Sequence, residues 1–331
     1  MTNLKVLTFN VHNALANNNG VLTDAAKTRV AAVKAEIESH SPDLVGLQED
    51  ITLWTNNLTL DGYTAVYDPN VTGNWAERCA IYYKSELNCV DYGWQWLTSD
   101  GSKSTVALTV ADILPGGKYE MTPEELARID VTASTKDSFL RDGITYYIND
   151  AGERVSVSSY NYLTARRMTY VVLEVNGQNV IYVNTHLQHR SQNAEYSSPA
   201  MQKLRNSERL AQFAMVQARI NELKVSYPNA AVVITGDFND LIGSDVYNLA
   251  CENYQSAKVI AATVEGSEGT WNNYYTNPNA SNYGTDTLDY VFVYGQGLTV
   301  SKYTTGVGYA TVNGEKIYTS DHLAVVVDFS I

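Results

Sequence analysis

Leu4, Val6, Leu7 and Phe9 form a short, mostly apolar run that stops at Asn10, which predicts a strand. Beyond it Ala26, Val30, Val33 and Ile37 recur at spacings of four, three and four. That is the period of one helix face, with Asp24 placed to cap it. Pro42 closes the helix, and Asp43-Leu44-Val45-Gly46-Leu47 predicts a buried strand running into Gln48-Glu49. The opening unit is therefore strand, helix, strand.

Further apolar runs predict strands over 63–67, 78–84, 168–175, 180–184, 231–235, 288–293 and 323–329, with a turn at Gly177. A long helix is predicted over 202–224. The least readable pattern lies at 91–163. It holds a turn at Gly116-Gly117, a helix start at Thr122-Pro123-Glu124-Glu125 and a polar hairpin-like stretch at Asp150-Ala151-Gly152. Its apolar content is thin for an independent core, so it reads as an insertion in a single domain over 1–331. No repeat at solenoid periods is visible. Helices and strands interleave in both halves, which favours a two-sheet α/β sandwich over one open parallel sheet.

The 331 residues are 44% hydrophobic and 18% charged, an ordinary globular balance. No apolar run reaches the roughly 18 residues of a membrane span, so no integral membrane contact is expected. A net charge of −13 argues against a protein that coats nucleic acid, but not against a nuclease with a local basic rim. Cys79, Cys89 and Cys251 are too few for a disulfide framework and read as buried thiols. The chain enters a strand-like run directly after Met1, without a signal-peptide pattern. A composition of 24 Tyr against 6 Phe leans toward an extracellular enzyme whose leader has been removed, with a cytoplasmic location left open. The five tryptophans read mainly as packing, with one or two free to stack on a base or sugar.

The candidate chemistry lies where apolar strands end. Clusters of Asn, Asp, Glu or His follow at once at Asn10, Glu49, Thr185-His186 and Asp237-Phe238-Asn239, and a further one, Ser320-Asp321-His322, stands just before the last strand. Rigid strand ends project such groups into one crevice. Phosphate-ester cleavage needs a deprotonated water, neutralisation of the phosphate oxygens and a proton for the leaving oxygen. A hard cation on oxygen ligands serves the second need, and histidines oriented by carboxylates serve the others.

Taken in order, Thr8-Phe9-Asn10-Val11-His12-Asn13, Leu47-Gln48-Glu49, Trp75-Ala76-Glu77-Arg78, Asn184-Thr185-His186-Leu187, Thr235-Gly236-Asp237-Phe238-Asn239, Leu288-Asp289-Tyr290 and Ser320-Asp321-His322 span nearly the whole chain. In these motifs it resembles the endonuclease/exonuclease/phosphatase, or DNase I-like, superfamily. The resemblance implies a four-layer α/β sandwich, two mixed β-sheets packed face to face with helices outside. It implies Glu49 as principal metal ligand with Asn10 and Asp321 beside it, and Mg²⁺ as cofactor, with Mn²⁺ or Ca²⁺ as alternatives. It also implies that Asp237 and Asn239 orient water and phosphate, and that His186 pairs with Glu77 and His322 with Asp289. His12, Arg78 and Arg167 are expected to contact substrate phosphate, although His12 stands where other branches place Asp or Arg.

The function expected is metal-dependent phosphodiester hydrolysis, with DNA or RNA as favoured substrate and no protein partner. The alternative is a phosphatase or sphingomyelinase-like phospholipase C acting on a small phosphoester or lipid head group. An inositol-phosphatase signature is absent, since Thr287-Leu288-Asp289-Tyr290 stands at the equivalent place. A catalytically dead binding module predicts loss of a site residue, and none is lost.

Overall fold

A computed structural model describes residues 2–13, 23–71, 76–98, 166–190, 199–272 and 284–331, together with short strands at 138–141, 144–148 and 155–160. The predicted opening unit is present as β1 (Asn3–Asn10), α1 (Asp24–His40) and β2 (Leu44–Gln48). Next come α2 (Thr52–Thr55), β3 (Tyr63–Val66), β4 (Ile81–Lys84), β5 (Asn88–Trp96), β6 (Ser138–Arg141), β7 (Ile144–Ile148) and β8 (Val155–Tyr160). After β9 (Arg167–Val175) and β10 (Gln178–His186), α3 (Pro199–Ser226) leads into β11 (Ala231–Asp237) and α4 (Asp245–Cys251). The chain closes with β12 (Gln255–Ser256), α5 (Ala257–Ile260), β13 (Thr263–Glu265), β14 (Asp289–Tyr294), β15 (Thr299–Thr305), β16 (Tyr309–Val312), β17 (Glu315–Tyr318) and β18 (Val325–Ser330).

The fold divides into two compact units. The second comprises Gln95–Arg166 and Leu187–Ala218, and its described strands β6, β7 and β8 form a three-stranded antiparallel sheet. The stretch expected to be an insertion is thus joined by 187–218, and β5 already occupies its first residues. The Gly116-Gly117 turn and the Thr122 helix start lie outside the described residues.

The first unit contains both large sheets, ordered β13-β15-β18-β1-β2-β4-β3 and β12-β14-β11-β10-β9-β5. Both are mixed: β1 runs parallel to β2 and β10 parallel to β11, among antiparallel neighbours. Their facing sides share one core, in which Val6, Leu44 and Phe329 meet Leu173, Tyr182, Val233 and Val291. Helix α1 covers the other face of the first sheet, burying Val30, Val33 and Ile37 among Leu7, Val45, Leu47 and Val326. Tyr247 of α4 joins Tyr290, Phe292 and Phe238 in an aromatic cluster on the second sheet. This is the expected DNase I-like α/β sandwich.

Four local expectations need correction. Of the thiols expected to be buried only Cys79 is, Cys89 being half-buried and Cys251 exposed. Thr23 rather than Asp24 caps α1, its hydroxyl accepting from the Ala26 N–H at 3.1 Å, while Asp24 lies in the first turn. The strand expected over 78–84 begins only at Ile81. The buried Asp50 carboxylate takes the Cys79 and Ala80 N–H groups at 2.6 and 2.8 Å, leaving them unavailable to a ladder. Strand β15 escaped the pattern because its sequence is largely polar, and β5 and the β16–β17 hairpin because they carry no long continuous apolar run.

A buried amide seam joins the sheets. Gln48 Nε2 donates to Asn184 Oδ1 at 2.6 Å, and Asn184 Nδ2 donates to the Leu47 and Ala80 carbonyls at 2.7 and 3.2 Å. Gly46 makes room for it, since a Cβ there would lie 2.5 Å from Asn184 Oδ1.

Glu36 of α1 is buried, and that burial raises its pKa from 4.5 to about 7 despite a 2.7 Å hydrogen bond from the Thr319 hydroxyl. Between pH 4.5 and about 7 the native state therefore holds more proton at this site than the unfolded chain. Its contribution to stability falls as pH rises through that window and levels off above it. Glu36→Gln is expected to remove up to about 3 kcal/mol of this pH dependence. Denaturant unfolding of both proteins across the window checks it, and parallel stability curves would refute it.

Candidate active site

Strand pairing brings the polar strand ends together. In the parallel pairs Asn10 lies opposite Gln48 and His186 opposite Asp237, while antiparallel β14 sets Asp289 opposite Asp237. Glu49 follows β2 directly, and Ser320-Asp321-His322 lies just ahead of β18. All these residues belong to the first unit.

Asp237 is the hub. Its Oδ2 accepts from Asn10 Nδ2 at 2.9 Å, and its Oδ1 accepts from the Asn239 N–H at 2.7 Å. Two imidazoles converge on the same Oδ2, His186 Nε2 at 3.6 Å and His322 Nε2 at 3.8 Å. Each is held from behind by a carboxylate: His186 Nδ1 lies 2.7 Å from Glu77 Oε1, and His322 Nδ1 lies 2.8 Å from Asp289 Oδ2. With each Nδ1–H donated backward, each Nε2 faces the crevice. Asn239 Nδ2 lies 2.9 Å from His186 Nε2, completing a ring around Asp237.

Three non-glycine residues of this crevice have left-handed backbone, His12 at φ 53, Glu49 at φ 56 and Asn239 at φ 54. Such conformations cost on the order of 1–3 kcal/mol each and persist only where neighbours over-determine them. Here a site side chain receives each strained N–H: Asn10 Oδ1 from His12 at 3.0 Å, Glu77 Oε1 from Glu49 at 2.9 Å, and Asp237 Oδ1 from Asn239. The side chains that form the site therefore also shape its backbone. Glu77 accepts from both Glu49 and His186, unlike a solvated partner of Arg78.

The electrostatics follow from burial and pairing. Burial disfavours a charged His322, but the Asp289 carboxylate outweighs it and lifts the imidazole to about 10. Asp289 is itself supported by the Thr270 hydroxyl, which donates to Oδ2 at 2.6 Å and accepts the Leu288 and Asp289 N–H groups. Burial raises Glu49, yet His186 and the Asn13 N–H prevail and hold its pKa below the usual glutamate value. Burial lowers His12 against the opposing pull of Asp321 and Glu49.

Two donor sets are present. Glu49, Asn10 and Asp321 offer oxygen, the donor a hard divalent ion prefers. The Asp237, Asp289 and His322 donor atoms also lie within 4.8 Å of one another, and the buried Asp289 Oδ1 has no hydrogen-bond partner among the described residues. In that second set His322 Nδ1 is bonded to Asp289, which leaves Nε2 as its donor atom, whereas the first set offers oxygen alone, as a hard cation prefers.

Of the expected phosphate contacts, His12 is tied to the site through its N–H, which donates to Asn10 Oδ1 at 3.0 Å. The Arg78 guanidinium bonds Thr55 Oγ1 at 2.5 Å and the Val71 carbonyl at 3.3 Å, and lies over the Tyr67 ring. Arg167 is buried with Asp68 3.9 Å away. Trp54 is fully buried, whereas Trp75 lies outside the described residues. Sequence reasoning missed Asp50, Thr270 and Arg29, all of which act on backbone groups.

The Endonuclease/Exonuclease/phosphatase family profile matches residues 7–322. Among solved structures, an endonuclease/exonuclease/phosphatase from Bacteroides vulgatus is 18% identical with TM-score 0.64, covering 100% of both chains. A mannosyl-6-phosphatase of Bacteroides thetaiotaomicron is 17% identical with TM-score 0.63, over 99% of this chain and 100% of that one. A truncated TDP2 of Caenorhabditis elegans is 16% identical with TM-score 0.57, over 99% and 98%. Likeness at these identities concerns the fold. No curated protein matches.

Proposed function

Since the chain belongs to the Endonuclease/Exonuclease/phosphatase family, whose members hydrolyse phosphoesters, we propose that it cleaves a phosphate ester by water attack at the crevice around Asp237. The observation that carries this reading is the convergence of two carboxylate-held imidazoles on one Asp237 oxygen. Family members generally use a divalent metal, and Glu49, Asn10 and Asp321 would hold it here. When bound, it would neutralise charge on the phosphate oxygens.

Asp237 takes the proton of the attacking water. Its two oxygens are fixed by Asn10 and Asn239, so it meets the water without reorganising. The Asn239 amide and His186 border the charge developing on the non-bridging phosphate oxygens. His322, held protonated by Asp289, presents an Nε2–H to a phosphate oxygen or to the leaving oxygen. His12, whose N–H donates to Asn10 Oδ1, borders the same phosphate. We take 1–331 as one catalytic domain.

The substrate reading that the surface favours is a small phosphate ester rather than a polynucleotide. Besides the net charge of −13, six described cations, Lys5, Lys27, Lys34, Lys84, Arg219 and Lys302, each pair with a carboxylate, while Lys224 and Lys316 lie over the Tyr294 and Tyr309 rings. A nucleic-acid track needs unpaired cations at phosphate spacing. Purified protein in Mg²⁺ is expected to hydrolyse a hexose phosphate, a nucleoside monophosphate or bis(p-nitrophenyl) phosphate faster than it nicks supercoiled plasmid. Rapid nicking with the small esters left intact would overturn this choice and restore the nuclease expectation.

A further inference from the structure

We infer that Arg29 of α1 is a positioning residue for hydrolysis, clamping together the two chain segments that carry Asn10 and His12 on one side and Asp321 and His322 on the other. The inference rests on the proposed hydrolytic site and adds to it a residue outside the crevice. Arg29 Nη1 donates to the Val11 carbonyl at 2.9 Å and to the Thr319 carbonyl at 3.2 Å, and Nη2 donates to the His12 carbonyl at 2.9 Å. Its guanidinium lies over the Trp54 ring, 5.0 Å from the centroid, and Trp54 Nε1 donates to the same His12 carbonyl at 3.1 Å.

Val11 and His12 directly follow Asn10, and Thr319 precedes Ser320-Asp321-His322. Neither segment lies in a named strand there: the Val11 N–H reaches the Gln48 carbonyl and the Asp321–His322 pair is bridged to Trp271–Asn272, but no backbone hydrogen bond among the described residues joins the two segments directly. The left-handed His12 is held by three donations, its own N–H to Asn10 Oδ1 and two into its carbonyl. A second tie runs parallel to the clamp: the Ser320 hydroxyl donates to the Asn10 carbonyl at 2.6 Å and accepts the His322 N–H at 3.1 Å. Arginine suits the place because one rigid plane meets three carbonyls and stacks on an indole. A lysine ammonium supplies the charge without that fork.

The partners of Arg29 are backbone carbonyls, so its loss should disturb alignment more than ground-state binding. The test uses bis(p-nitrophenyl) phosphate in Mg²⁺ with the wild type, Arg29→Met, Arg29→Lys and Trp54→Phe. Arg29→Met is expected to lose on the order of 10² in kcat, as sub-ångström misplacement does, with KM within about twofold. Arg29→Lys should recover little of that loss, Trp54→Phe should show a smaller loss of the same kind, and low, non-denaturing guanidinium should raise the kcat of Arg29→Met.

A folded Arg29→Met with wild-type kcat, or a loss confined to KM, overturns the inference. If Arg29→Met does not fold, Arg29→Lys decides, and wild-type kcat in that variant overturns it. An inert wild type overturns the hydrolytic reading and this one together, whereas an active wild type with unaffected Arg29 variants overturns the positioning role alone.

Discussion

Asp237→Asn is expected to slow phosphate-ester hydrolysis by at least about 10²-fold, the lower range for losing a positioned acid or base. The substitution preserves shape and tests one property, the ability to accept a proton. Asn239 and Asn10 can still reach an amide oxygen, but not both oxygens of a carboxylate as they do now at 2.7 and 2.9 Å. The two imidazole Nε2 atoms would also lose the anion on which they converge. Steady-state kinetics on the best small ester checks the prediction, with a thermal unfolding curve to show that the variant is folded. A folded Asp237→Asn within about threefold of wild type would remove Asp237 from the chemistry.

Gly236→Ala is expected to be the most damaging single-methyl change in the site, costing about 3 kcal/mol or more of stability. Gly236 lies inside β11 at φ 155, and a Cβ there would sit 2.0 Å from the Thr185 carbonyl oxygen of the neighbouring strand. That neighbour is backbone, so no rotamer change relieves the overlap, and β11 must move away from β10. The register between these strands sets His186 opposite Asp237, so activity should fall with stability. Urea unfolding measures the first effect and hydrolysis the second. A variant with wild-type midpoint and rate would contradict the packing at this strand pair.

The two glycines that bracket the amide seam show how far the sequence could be read. Gly46 and Gly236 stood inside recognisable motifs, yet what each makes room for, Asn184 Oδ1 and the Thr185 carbonyl, comes from the other strand or the other sheet. Site residues were legible because buried parallel and central strands leave continuous apolar runs, and an Asn, Asp or His directly after such a run stands out. The fold class followed from the same runs. Edge strand β5 alternates weakly between half-buried and exposed positions and left no comparable signal. Glu77 was harder to place, since beside Arg78 it also reads as a surface ion pair. Only the tertiary fold brings its carboxylate to the Glu49 N–H and the His186 ring. Asp50 and Arg29 were invisible for a common reason: each acts on backbone groups distant in sequence, which no side-chain motif encodes.

The charge distribution sharpens the functional question. A protein of net charge −13 that hydrolyses a phosphate ester must overcome repulsion at the site itself. The groups that would serve are a cation held by Glu49, Asn10 and Asp321, a protonated His322 and the amides of Asn10 and Asn239. Long-range attraction of a polyanion contributes little by comparison, because the surface cations named above already have carboxylate or ring partners.

The most direct test of the central claim is p-nitrophenol release from bis(p-nitrophenyl) phosphate by wild type and Asp237→Asn, each with Mg²⁺ and with EDTA. The account predicts turnover by wild type in Mg²⁺, its loss in EDTA and its return on re-adding the metal, with Asp237→Asn slow throughout. Turnover that persists in EDTA, or that is equal in the two proteins, would contradict metal-dependent hydrolysis at Asp237.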